Sequence, residues 1–164
     1  MRSETMANTL VLAGSAALLG GALAFQYIGG LAPCEMCLWQ RWPHVAALVL
    51  GLIAWALGNR RAVVALAAVA LLATAAIGGF HAGVEYHWWA GPQACTAPAF
   101  GTGTSFIAAA LASPMIRCDA AAWTLFGVSM AGYNAALSTL IGGGALWLLR
   151  RRELTAQWLK PSTR

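Results

Sequence analysis

The chain has 164 residues, of which 60% are hydrophobic and 9% are charged. A soluble domain of this length needs more charge to keep its surface in water, so the composition excludes that class and indicates a membrane protein. The net charge of +5 would suit a nucleic-acid partner, but the positions of the basic residues favour a topological role.

Four apolar segments are long enough, at about 20 residues, to cross a bilayer as helices. We place these spans at 10–28, 38–57, 62–80 and 126–149. The first span resembles a signal peptide, but it is longer than a typical one and three more follow, so we interpret it as a retained helix. The sequence predicts an all-α membrane protein, a four-helix transmembrane bundle forming a single domain over residues 1–164.

Eight of the ten basic residues fall on one side of this four-span arrangement. They are Arg2, Arg60, Arg61, Arg150, Arg151, Arg152, Lys160 and Arg164. Arg41 and Arg117 fall on the other side. Because basic residues favour the cytoplasmic side of a membrane, both termini are expected in the cytoplasm and no nucleic-acid partner is expected.

The longest hydrophilic segment, residues 81–122, is predicted to form a loop outside the membrane. Within it, Thr104–Ala112 is short and apolar on most sides, which suggests a short helix lying on the membrane surface. All four cysteines fall on this outer face, namely Cys34, Cys37, Cys95 and Cys118. In a bacterial inner membrane the outer face borders the oxidising periplasm, where thiols pair readily.

Cys34 and Cys37 are three positions apart and directly follow Pro33, a residue typical of a helix start. The free amides at a helix start can stabilise a thiolate, as in many redox-active dithiols. Haem attachment is excluded because Leu38 stands where a histidine is needed. Zinc binding is less favoured, because the other two cysteines are 23 positions apart. Two inert structural disulfides remain an alternative.

Arg41 follows Cys37 by four residues, so the two side chains are expected on one face of the second helix. An ionisable residue at this depth is costly and usually has a partner. One interpretation is that the guanidinium reaches the lipid headgroups. The other is that it stabilises negative charge on a lipid-soluble electron acceptor beside Cys37, for which a quinone is suitable.

His81 and Glu85 are one helical turn apart at the outer end of the third span. Because quinone reduction consumes two protons, a histidine near the quinone can donate or relay one of them. The alternative is a polar pair that fixes the end of the helix. Three polar residues in the fourth span are expected to form hydrogen bonds between helices, namely Ser129, Asn134 and Ser138.

Three blocks of the sequence resemble the disulfide bond formation protein B (DsbB) family. They are GGLAPCEMCLWQR at 29–41, HAGVEYHWWAGPQAC at 81–95 and CDAAAWTLFGVSMAGYN at 118–134. With the four spans, the resemblance covers nearly the whole chain. Glu35, inside the first cysteine pair, departs from the small or apolar residues that are commoner there, and its carboxylate is expected to disfavour the thiolates.

The resemblance implies a protein-dithiol:quinone oxidoreductase of the bacterial inner membrane that supports disulfide bond formation and needs no metal. By this resemblance, Cys95 is attacked by a thiolate of a periplasmic DsbA-like thiol oxidase, which releases Cys118 from the disulfide. Cys118 then reacts with Cys34, from which it regains its oxidised state. Cys37 then faces a membrane quinone, either ubiquinone or menaquinone, and Arg41 stabilises the charge that develops.

The residues alone, without the resemblance, also allow two other functions. A transporter that carries reducing equivalents outward would need thiols accessible from the cytoplasm, where the distribution of basic residues places none. A non-catalytic membrane scaffold would use its cysteines as structural bridges or as zinc ligands.

Overall fold

The computed structural model describes residues 2–92, 95 and 117–158, and these residues form four helices and one short hairpin. The helices are α1 (Arg2–Tyr27), α2 (Glu35–Ala56), α3 (Arg61–Glu85) and α4 (Met130–Trp158). The hairpin pairs β1 (Thr124–Leu125) with β2 (Val128–Ser129). The surface helix expected at Thr104–Ala112 lies outside the described residues, as does most of the loop that contains it.

The four helices pack around a core of small residues. α3 makes its most extensive contacts with α4 and α2, while α1 packs against α2 and α4. The largest buried cluster draws on all four helices and contains Ala7, Val11, Ala47, Ala54, Val64, Ala67, Ala68, Leu71, Ala145 and Leu149. Small side chains let helix backbones approach closely, which is typical of helix packing in membranes.

Two helices in the described part of the chain are long and apolar enough to cross a bilayer, judged by length and composition. They are Ser3–Tyr27 and Arg61–Glu85, with mean hydropathies of 1.6 and 2.4. Large apolar side chains also lie on the outside of the bundle, among them Trp42, Trp55 and Leu140, each at least 66% exposed. An exposed apolar surface of this kind suits contact with lipid.

The two ends of the bundle differ in chemistry. At one end Asn8 Nδ2 donates to the Gly51 carbonyl at 3.0 Å and to Asn59 Oδ1 at 2.7 Å, which ties α1 to the turn between α2 and α3. Arg60 follows Asn59 in that turn. Cys34 lies at the far end of α2, the full length of the helix away. Arg60 and the thiols therefore occupy opposite ends of the bundle.

Helix boundaries on either side of the loop between α3 and α4 differ from the predicted spans. α3 continues to Glu85 instead of ending at residue 80, and the added turn includes the buried residues His81 and Val84. α4 begins at Met130 instead of residue 126. The reason is local, because Phe126 and Gly127 have φ angles of 50° and 77°. Positive φ at both central residues is typical of a two-residue hairpin turn and is incompatible with a helix.

Gly78 lies where α3 crosses α2 and α4. A Cβ atom at this position would come within 3.0 Å of the Ala131 carbonyl and of Gln40 Oε1. We expect Gly78→Ala to lower the free energy of unfolding by about 1–3 kcal/mol, because the backbone of α4 cannot move aside without repacking the bundle. Denaturant unfolding of the purified protein in detergent would measure the change.

Gly79→Ala is the matched control for this prediction. It adds the same methyl group to the next residue of α3, where the nearest atom, Ala135 Cβ, is 4.0 Å away. Because alanine favours a helix more than glycine does, Gly79→Ala should leave stability unchanged or raise it. Equal loss of stability in the two variants would contradict close packing at Gly78.

Candidate redox site

Two cysteine pairs meet at the end of the bundle opposite the basic turn. Cys95 and Cys118 form a disulfide whose Cα atoms are 5.5 Å apart. Cys34 and Cys37 are free thiols, with their sulfur atoms 3.0 Å apart. The structure thus holds one oxidised pair and one reduced pair in a single buried cluster.

Cys34 occupies the N-cap position of α2. Its sulfur accepts a hydrogen bond from the Cys37 amide at 3.2 Å and donates one to the Cys37 sulfur. The pKa of Cys34 is raised, first by the hydrogen bond to the Cys37 side chain and then by burial. Cys34 therefore keeps its proton, and a negative charge on the pair falls on Cys37.

Glu85 is the carboxylate that acts on this pair. Its charge is one of the smaller causes of the raised pKa of Cys34, after the hydrogen bond and burial. Glu85 Oε1 also lies 3.7 Å from His81 Nε2. Glu35, expected to disfavour the thiolates, has an exposed side chain in the first turn of α2, where water screens its charge.

The two cysteine pairs are close enough to suggest exchange between them. The sulfur atoms of Cys34 and Cys118 and a ring nitrogen of His81 lie within 4.8 Å of one another. Cys118 is bonded to Cys95, so in this state it has no thiolate to offer a metal. Within the described ranges the cluster has three candidate ligands, whereas structural zinc sites use four. The geometry suits disulfide exchange better than zinc.

A hydrogen-bonded network runs from Cys34 into the bundle. His81 Nε2 lies 3.5 Å from Cys34 Sγ, and His81 Nδ1 lies 2.9 Å from Gln40 Nε2. Gln40 Oε1 is 2.8 Å from Asn134 Nδ2, and Asn134 Oδ1 is 2.9 Å from His44 Nε2. The network therefore joins α2, α3 and α4, and it confirms Asn134 as a hydrogen-bonding contact between helices.

The Met36 carbonyl fixes the direction of these hydrogen bonds. Gln40 Nε2 lies 3.1 Å from it, and a carbonyl oxygen can only accept, so this atom of Gln40 is the N–H donor. Gln40 Oε1 is then the acceptor, which makes Asn134 Nδ2 a donor and Asn134 Oδ1 an acceptor. The Ser138 hydroxyl also donates to Asn134 Oδ1, at 3.0 Å, so its bond lies within α4 and not between helices as expected.

The same reasoning assigns the ring protons of the two histidines. His81 Nδ1 faces an N–H of Gln40 and must accept, so the proton of the neutral ring is on Nε2, which lies beside Cys34. His44 Nε2 faces the Asn134 oxygen and must donate, so the neutral His44 ring has its lone pair on Nδ1. His81 is thus held as a donor to the thiol pair.

An apolar cavity of about 330 Å³ opens beside the free thiols. Its apolar walls include Leu18, Ala22 and Phe25 of α1, Trp123 before the hairpin, and Leu137 of α4. Its polar lining from α2 consists of Cys37, Gln40, Arg41 and His44, which share one helix face. A mainly apolar pocket with a few converging polar groups is typical of a small-molecule site.

The Arg41 side chain is held by a hydrogen bond to a neighbouring helix. Its Nη1 donates to Gln26 Oε1 of α1 at 2.5 Å. Its Nε is buried and has no hydrogen-bond partner among the described residues, and the same is true of His44 Nδ1. Both residues line the cavity. An apolar ring whose oxygens accept hydrogen bonds would complement the apolar walls and the unpartnered Nε–H of Arg41, so Arg41 and these walls fit the quinone expected from the sequence.

The structure brings together all six residues predicted for the site. Four of them line the cavity, namely Cys34, Cys37, Arg41 and His81. The other two form the adjoining disulfide, Cys95 and Cys118. The sequence interpretation missed Gln40 and His44, although the helical spacing that placed Arg41 beside Cys37 puts both on the same face.

Comparison with known proteins agrees with the resemblance drawn from the sequence. The family model for disulfide bond formation protein DsbB matches residues 4–148. A relative from Azoarcus sp. (strain BH72), named Disulfide bond formation protein B, is 33% identical over 156 residues, which is 88% of this chain and 91% of the relative. No solved structure gives a significant match.

Two further relatives carry the same name. The protein from Aromatoleum aromaticum is 33% identical over 147 residues, covering 84% of this chain and 87% of its own. That from Methylococcus capsulatus is 34% identical over 145 residues, covering 82% and 86%. The match to the family model includes α2, α3 and both cysteine pairs. This largely helical membrane protein therefore belongs to the disulfide bond formation protein B (DsbB) family, whose members act in disulfide bond formation.

Proposed function

We propose that this protein is a protein-dithiol:quinone oxidoreductase that reoxidises a periplasmic DsbA-like thiol oxidase and passes the electrons to membrane quinone. One observation carries the proposal. The free Cys34–Cys37 pair lies between the Cys95–Cys118 disulfide and an apolar cavity lined by Arg41. A dithiol in this position can receive electrons from one side and deliver them to a lipid-soluble acceptor on the other.

The first half of the reaction is thiol–disulfide exchange at Cys95. A thiolate of the partner attacks the Cys95 sulfur, the Cys95–Cys118 bond breaks, and Cys118 leaves as a thiolate. The second thiolate of the partner then attacks its own sulfur in the mixed disulfide. This step releases Cys95 as a thiolate and leaves the partner with a disulfide.

The two electrons then pass to Cys34 and Cys37. When these two are joined as a disulfide, the Cys118 thiolate attacks Cys34 and Cys37 leaves as a thiolate. Cys95 then attacks Cys118, which restores the Cys95–Cys118 bond and releases Cys34. The described arrangement, with one pair closed and the other free, is the one that this exchange would produce. The Nε2–H of His81 stabilises Cys34 as it leaves.

The second half of the reaction returns Cys34 and Cys37 to a disulfide. A quinone, when bound, supplies the capacity to accept two electrons and two protons. Arg41 would hold one of its oxygens, because the Nε–H of Arg41 is a charged donor with no partner among the described residues. The walls of the cavity are mainly apolar, so the attraction between Arg41 and a developing negative charge would be stronger than in solution.

A coupled assay tests the function. The purified protein in detergent would be mixed, without oxygen, with a reduced DsbA-like protein and a short-chain benzoquinone. We expect one quinone to be reduced for every two partner thiols lost. Loss of partner thiols with no change in quinone would contradict the proposal. Stoichiometric zinc in a protein that reduces no quinone would instead support the non-catalytic alternative, in which Cys34, His81 and Cys118 bind a metal.

We further propose that all four helices cross a bacterial inner membrane, with the end that carries Arg60 in the cytoplasm and the thiols in the periplasm. Two exposed alanines near opposite ends provide a matched test, Ala62 at the start of α3 and Ala90 beyond its end. An impermeant maleimide added to intact spheroplasts should label Ala90→Cys, and should label Ala62→Cys only after the membrane is opened. The reverse pattern would invert the topology.

A further inference from the structure

We propose that His44 binds a hydroxyl group of the reduced acceptor, the quinol, through its Nδ1 atom in the cavity beside Cys37. The inference rests on the proposed function and extends it. His44 lies outside the thiol pairs, and through it the site can distinguish the quinol product from the quinone substrate.

The first observation is the burial of His44 together with its incomplete hydrogen bonding. The side chain is 3% exposed and lies in the interior part of α2. Its Nε2–H donates to Asn134 Oδ1 at 2.9 Å. Its Nδ1 is buried and receives no hydrogen bond from any described residue. Because buried polar atoms are nearly always paired, an orphan acceptor in a cavity lining points to a ligand.

The second observation is the direction of the missing hydrogen bond. The network anchored on the Met36 carbonyl requires the proton of the neutral His44 ring to be on Nε2, so Nδ1 can only accept. Both oxygens of a quinone also only accept, and neither can pair with Nδ1. A quinol has two O–H donors. His44 is therefore complementary to the reduced form of the acceptor.

Arg41 supplies the opposite polarity in the same cavity. Its unpartnered Nε–H is a donor and can pair with an oxygen of either form of the acceptor. On α2, the unpartnered atoms of the lining are thus one charged donor, Arg41 Nε–H, and one neutral acceptor, His44 Nδ1, on residues three positions apart. Arg41 can donate a hydrogen bond to the substrate and to the product, whereas His44 can accept one only from the product.

A pair of binding probes tests the inference without turnover. The probes are a short-chain benzoquinol and its dimethyl ether, which has the same ring but no O–H donor. They are titrated into the purified full-length protein in its described state, with Cys34 and Cys37 reduced and oxygen excluded, and binding is read by tryptophan fluorescence, since Trp123 lines the cavity. In this state the thiol pair cannot oxidise the quinol.

In His44→Phe, the loss of one neutral hydrogen bond should weaken the binding of quinol about 3- to 12-fold relative to the wild type. The affinity of the same variant for the dimethyl ether should stay within about twofold of the wild-type value. His44→Gln keeps an acceptor and a donor, so it should recover most of the quinol affinity. His44→Leu repeats the test with a different apolar side chain, and the melting temperature of each variant shows that it is folded.

Ser138→Ala is the matched control. Ser138 is buried and donates to the same Asn134 oxygen, but it does not line the cavity. Its removal should leave the affinity for both probes unchanged. Equal weakening of both probes in the folded His44 variants would overturn the inference and leave the proposed function in place. Failure of the wild-type protein to bind either probe would overturn the quinone site itself.

Discussion

Replacing Cys37 by serine is expected to reduce electron transfer to quinone to the uncatalysed background while the mixed disulfide with the partner still forms. A serine hydroxyl cannot form a disulfide with Cys34, so the pair can neither receive electrons by exchange nor deliver them. Cys95 and Cys118 are untouched by this change and remain joined, since their bond lies outside the altered pair. The variant should therefore stop between the two halves of the reaction.

Cys95→Ser is the matched variant on the other side of the pathway. It removes the sulfur that the partner attacks and leaves Cys34 and Cys37 free to react with quinone. A partner that lacks its second thiol traps the mixed disulfide, which is seen on a non-reducing gel, and quinone absorbance reports the other half. Each variant should lose one signal and keep the other. Normal quinone reduction by Cys37→Ser would show that the assigned electron path is wrong.

Arg41→Met is expected to raise the apparent KM for quinone by about 10- to 150-fold, because one charge-assisted contact in a low-dielectric site is worth about 1.5–3 kcal/mol. Arg41→His should be similarly severe. Arg41→Lys should be mild, because lysine keeps the charge even though it loses the planar fork. The contact between Arg41 of α2 and Gln26 of α1 favours this role over a contact with lipid headgroups.

Steady-state kinetics with varied quinone and saturating partner would measure these effects. Arg60→Met is the control, since it removes the same charge from an exposed position at the opposite end of the bundle. Its KM should match the wild type, and partner binding should be spared in every variant. An unchanged KM and kcat in Arg41→Met would mean that the guanidinium only reaches the headgroups.

Each of the four apolar segments predicted from the sequence overlaps one helix of the described residues, as expected if long apolar segments are needed for burial in lipid. The apolar pattern did not locate the helix ends beside the loop between α3 and α4. α3 runs on to Glu85 because His81 and Val84 pack inside the bundle, and α4 starts late because Phe126 and Gly127 form a tight turn. Both causes depend on tertiary contacts or backbone angles that an apolar pattern does not record.

The cysteines and Arg41 of the candidate site could be predicted from the sequence. The polar side chains that form hydrogen bonds around them could not. Helical spacing alone placed Arg41 on the face of Cys37. The link from His81 through Gln40 to Asn134 joins three helices, so no local pattern reveals it. The charge on the thiol pair also depends on a side-chain hydrogen bond that outweighs the amide at the helix start. The sequence indicates the amide at the helix start but not the side-chain hydrogen bond between the two cysteines.

The central claim is that Cys34 and Cys37 give their two electrons directly to quinone, and a single-turnover reaction tests it most directly. The purified protein, with both thiols free and oxygen excluded, would be mixed with an excess of short-chain benzoquinone. Alkylation and mass spectrometry would then count the remaining thiols while absorbance follows the quinone. We predict that one quinone is reduced for each Cys34–Cys37 disulfide formed. If both thiols stay free and the quinone stays oxidised, the claim is contradicted.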